Sequence, residues 1–202
     1  MARTAIIALA IIIVFGILTP LIKGPDLLNP LLLTAYMILS LVIVGPGAAG
    51  VFAGEEAAEG AAGLRRLGLV ALYAWALGAI VLAAGLITIR ARAHRPLLPR
   101  TSFLIAELVC GAAATAFVGL VAGLIARRYS ANAARTAQRF VFLGLVIFLF
   151  ALARFGGPEW VRAIYGWATE RRLTNIFVIC AVALAVADVP LAAALARRRA
   201  LQ

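Results

Sequence analysis

The stretch Ser102–Ala126, SFLIAELVCGAAATAFVGLVAGLIA, decides how the chain is read. It is apolar for about the 20 residues that a helix needs to cross a bilayer. It carries one carboxylate, Glu107. Steps of four from that acid meet Gly111, Thr115, Gly119 and Gly123. Residues four apart share one ridge of a helix. The acid therefore heads a stripe of small residues, and Gly119 and Gly123 form a GxxxG pair. Such a surface lets a second helix approach closely inside a membrane. A central acid facing lipid costs about 2.5–3.5 kcal/mol on insertion scales. The stripe predicts that Glu107 faces protein and that other helices gather around this one.

Composition agrees with a membrane setting. The 202 residues are 65% hydrophobic and only 13% charged. A soluble domain is about 45–50% apolar and about 25% charged. The apolar residues fall in long runs. They predict one all-α transmembrane domain over residues 1–202. Six spans are expected, at 4–22, 30–52, 67–89, 102–126, 139–155 and 173–196. The run at 4–22 follows a short basic start, but no small-x-small cleavage site follows it, so it reads as a retained first helix.

The breaks between runs are chemical. Pro20, Gly24, Pro25 and Pro30 close the first span, and Asn29-Pro30 reads as the cap and first residue of the second. Gly45-Pro46-Gly47 interrupts the second span. A missing backbone donor and two glycines predict a kink or break there. A broken helix can build a transporter site, but a proline kink more commonly serves packing. Glu55, Glu56 and Glu59 precede Arg65 and Arg66 in a polar loop. Di-metal bundle sites use Glu-x-x-His, and no histidine lies near, so these acids read as a helix start. Tyr73 and Trp75 suggest the headgroup level. Between spans five and six, Trp160, Val161, Ile164, Tyr165 and Trp167 recur at helical spacing beside Arg162, Arg171 and Arg172. That pattern predicts a short amphipathic helix lying in the interface.

The net charge is +11. In a soluble chain this would suggest nucleic acid. Here the arginines flank apolar spans, and contact with anionic headgroups is the better reading, with no nucleic-acid partner. Six spans put both termini on one side, with ten basic residues there and nine opposite. That imbalance sets orientation weakly. The expectation is a bacterial inner-membrane protein with both termini in the cytoplasm, alongside other membrane subunits or further copies of itself.

Few residues carry chemistry. Cys110 and Cys180 sit singly inside apolar runs, and His94 lies among arginines. Zinc, haem and thiol-relay patterns are missing, so neither metal nor cofactor is expected. No phosphate loop, GxSxG or HExxH motif is present. An enzyme is therefore the least favoured class.

The intramembrane acids Glu107 and Asp188 remain. Glu107 lies five residues past Ser102, roughly 8 Å in, and Asp188 fifteen past Leu173, roughly 22 Å in. They are not expected to share a proton. Arg154 ends span five on the side where span four begins, and an ion pair with Glu107 is predicted. Asp188 has no basic residue at its depth. It can bond a carbonyl freed by Pro190, or line a polar path as intramembrane acids do in pumps. Ala181, Ala185 and Ala192 share its side of the helix.

The expected function is a transporter or the membrane-spanning part of a transport complex, such as an ABC-type system with a separate ATPase. The alternative is a non-catalytic structural or assembly subunit of a membrane complex.

Overall fold

The computed structural model describes residues 30–52, 60–92, 99–155 and 166–196, together with Glu159 and Ala163. Five helices are described: α1 (Pro30–Phe52), α2 (Gly60–Arg92), α3 (Thr101–Arg128), α4 (Ala131–Phe155) and α5 (Glu170–Ala196). No strand occurs among the described residues. The segments Gly60–Ala84, Thr101–Arg128 and Glu170–Ala196 are long and apolar enough to cross a membrane. The protein is accordingly an all-helical membrane protein. The expected span at 4–22 and most of the expected interfacial helix, Trp160 and Tyr165 included, lie outside the described residues. So do Glu55, Glu56, Glu59 and His94.

Helix α3 packs against each of the other four. One row of its side chains explains how. Phe103, Glu107, Thr115, Gly119 and Gly123 recur every four or eight residues, and all are buried. Two apolar cores lie along that row. Near the α3 N-terminus, Phe103 packs with Val81, Leu82, Ala168 and Leu173. Its ring meets that of Phe177 at 5.7 Å between centroids. Near the C-terminus, Leu120, Ala122 and Ala126 pack with Ala48, Ala49, Phe52, Leu67, Ala134 and Leu195. At about 25 cal/mol per Å², such burial is the main driving term in water. In hydrocarbon the balance passes to close packing and hydrogen bonds. The small residues of this row matter for that reason.

Two helices begin earlier than their apolar runs. Helix α2 starts at Gly60 and not at residue 67. Gly60 has φ 60°, a left-handed backbone that favours glycine. The earlier start moves Trp75 away from the helix end. It is half-buried, and its indole N–H donates to Leu108 O at 3.0 Å. That bond ties α2 to α3. Helix α4 starts at Ala131 and not at 139. Ser130 supplies the cap: its Oγ accepts from Ala133 N at 3.0 Å. Hydropathy alone placed both starts later, because Arg65 and Arg66 in α2 and Arg135 and Arg139 in α4 interrupt the apolar run.

Helix α1 passes through Gly45-Pro46-Gly47 without a break. Helix α5 likewise runs on through Pro190.

Candidate functional site

The polar contacts that join the helices fall into four main groups, three of them on α3 and one between α1 and α4. At its N-terminus, Arg100 N donates to Glu170 Oε1, which ties the starts of α3 and α5 together. Two turns further on is Glu107, 2% exposed. Free thiols Cys110 and Cys180 lie on the same pair of helices. Among the described residues, no group of three or more His, Cys, Asp and Glu is placed to hold a metal ion.

The second group is at mid-helix. Thr115 Oγ1 donates to Gly111 O at 2.6 Å. Ser40 Oγ lies 2.9 Å from the same Thr115 oxygen, and both side chains are fully buried. Thr115 has one hydroxyl proton and gives it to Gly111, so Ser40 is the donor of the interhelical bond. Bonds of this kind hold helices together where water is absent. Gly111 therefore serves the row through its carbonyl, while Gly119 and Gly123 serve through missing side chains. A Cβ at Gly119 would lie 3.2 Å from both Leu67 Cδ1 and Val44 Cγ2. At Gly123 it would lie 2.8 Å from Phe52 Cδ2 and 2.9 Å from Cε2.

The third group answers the proline. Pro46 has no N–H, so the carbonyl four residues earlier, on Val42, loses its helical donor. Gln138 of α4 replaces it: Nε2 donates to Leu41 O and Val42 O, each at 2.9 Å. Gly45 makes room, since a side chain there would overlap the Gln138 amide. Gly45, Pro46 and Gln138 thus form one unit. Sequence reading named the first two and missed the third. The i−4 rule marks Val42 O as orphaned, but nothing local names its donor. Gly47 has a plainer role, with Val70 Cγ1 2.5 Å from where its Cβ would stand.

The fourth group is at the far end. Arg127 Nη1 donates to Leu195 O at 2.9 Å and to Ala194 O at 3.3 Å. These are among the last carbonyls of α5, which have no helical donors.

Asp188 lies outside all four groups. Phe103 meets Phe177 and Arg127 meets Leu195, so α3 and α5 run parallel. That register sets Asp188 level with Thr115–Gly119 and Glu107 nearer the other end. The two acids are not brought together. Asp188 Oδ1 is buried with no hydrogen-bond partner among the described residues. The bond expected to a carbonyl freed by Pro190 is not made by that oxygen. Of its expected small-residue face, Ala181 is buried and Ala185 exposed. Arg154 lies in the last turn of α4, and its side chain is outside the described residues, as is its expected pairing with Glu107.

The arrangement defines a helical membrane bundle keyed on α3, its polar contacts spent on joining helices. No family model, no curated protein and no solved structure matches the chain.

Proposed function

We propose that the protein is a six-span transport protein of the bacterial inner membrane, acting as the membrane-spanning component of a transport complex. A separate ATPase of the ABC type would supply energy, since the chain has no phosphate loop of its own. Both termini lie on the cytoplasmic side in this reading, and Asp188 stands on the polar path. The observation that carries it is Asp188 Oδ1, buried on an apolar helix with no hydrogen-bond partner among the described residues. An acid placed so is expensive, and intramembrane acids mark substrate or proton routes.

The test is affinity purification of the chain from its native membrane in mild detergent. The ATP hydrolysis and transport of the recovered assembly are then compared with those of D188N. A co-purifying ATPase and a loss of at least about tenfold in transport, roughly 1.4 kcal/mol, is expected. An unchanged transport rate would remove Asp188 from the mechanism. Recovery of the chain alone would remove the complex.

A second reading, a non-catalytic assembly subunit, is favoured by one observation. Val178, Val182, Val186 and Val189 form an exposed apolar row along α5. Neighbouring chains that co-purify while D188N transports normally would select it.

A further inference from the structure

We propose that the cleft between α1 and α4 binds an anionic phospholipid, its phosphate held by Arg135 and Arg139. The proposal rests on the membrane setting and is independent of what the bundle transports. The cleft is about 530 Å³ and is lined by Val42, Pro46, Arg135, Gln138 and Arg139. Arg135 and Arg139 are one turn apart on the same face of α4, with both side chains exposed. Arg135 reaches Asn132 Oδ1 only at 3.5 Å, and neither arginine meets a carboxylate among the described residues. Two adjacent guanidinium groups present a fork that matches phosphate oxygens.

The side chains that follow them on α4 select a lipid as the source of that phosphate. Gln138 reaches the α1 carbonyls around Pro46, so this part of α4 lies beside the bundle and not beyond it. Continuing the same row by fours leads from Arg135 and Arg139 to Leu143 and Ile147. Leu143 is 51% exposed and Ile147 58%. Two cations followed along the same face by two exposed aliphatic side chains match an amphiphile with a charged head and an acyl chain. Val42 and Pro46 form the apolar wall, and Pro46 has no N–H to offer the anion. Free phosphate has no use for the aliphatic half of the row.

The experiment uses the full chain in detergent, titrated with phosphatidylglycerol, phosphatidylcholine or inorganic phosphate. Bound lipid is read by native mass spectrometry and stability by thermal unfolding. Phosphatidylglycerol is expected to bind in preference to phosphatidylcholine and to raise the unfolding temperature. Near a membrane surface each arginine contributes a factor of about five. R135Q and R139Q should each lose roughly that factor, and the double variant most of the preference. R65Q/R66Q, with two exposed arginines elsewhere, should keep it. V42W retains both charges and fills the cleft, and it should also weaken binding. An undiminished preference in both R135Q/R139Q and V42W would overturn the proposal, as would equal stabilisation by inorganic phosphate. A chain that stays monodisperse without detergent would instead remove the membrane reading itself.

Discussion

Replacing Gly123 with alanine tests the close approach on which α3 depends. The new methyl would stand 2.8 and 2.9 Å from two Phe52 ring atoms and 3.4 Å from Leu195 Cδ1. Carbon atoms prefer about 3.5–4.0 Å, so the ring must retreat by roughly 0.6 Å or more. Phe52 is 6% exposed and is held by Ala48, Ala49 and Leu67 in the same core. A flat, buried ring has little freedom to turn aside, and overpacking of this kind costs about 1–3 kcal/mol. Alanine also favours a helix over glycine by about 0.5–1 kcal/mol. That gain must be removed by a control. Gly68 on α2 has nothing within 4 Å of its would-be Cβ, so G68A reports the helix term alone. Gly119 lies between the two, with aliphatic side-chain ends at 3.2 Å that can shift. The expected order of stability is G68A, then G119A, then G123A, with G123A about 1–3 kcal/mol below G68A. Reversible unfolding in mixed detergent micelles, followed by tryptophan fluorescence, measures the series. Equal stability of G123A and G68A would show that Phe52 does not press on Gly123, and the packing of α1 on α3 would have to be redrawn.

Two further substitutions probe the polar ties. Q138L leaves Val42 O without a donor and should cost about 1–3 kcal/mol, whereas in P46A the restored backbone N–H serves that carbonyl. The loss on adding Q138L to P46A should therefore be smaller, and strict additivity in the double-mutant cycle would refute the link between proline and glutamine. T115V removes both hydroxyl bonds at nearly constant volume; about 0.6 kcal/mol, with about 1.7 as the ceiling, is the range for such bonds in a bilayer. A neutral or stabilising T115V in the same micelle assay would mean the Ser40–Thr115 contact holds nothing together.

The parts of the bundle differed in how far local patterns announced them. The ridge through Glu107, Gly111, Thr115, Gly119 and Gly123 was legible in the chain, because residues four apart adjoin on any helix. Helix content was legible as well, and of the six expected spans three correspond to described helices long and apolar enough to cross a membrane. The starts at Gly60 and Ala131 were not placed by hydropathy, since Arg65, Arg66, Arg135 and Arg139 cut the apolar runs short of them. The break expected at Gly45-Pro46-Gly47 was read from local chemistry as well. There α1 runs on without a break, and Gln138 donates to the carbonyl that Pro46 leaves open.

Sequence alone determined what each segment is: an apolar helix, a small-residue ridge, an orphaned carbonyl at Val42. These follow from helix geometry, which repeats within a few residues. Only the tertiary structure decided what each segment meets. Gln138 answers Pro46, Ser40 answers Thr115, and Arg127 closes the end of α5. The Ser40–Thr115 pair is 75 positions apart in sequence. A partner at that distance is chosen by how the helices lie against one another. No period within a single helix encodes that placement.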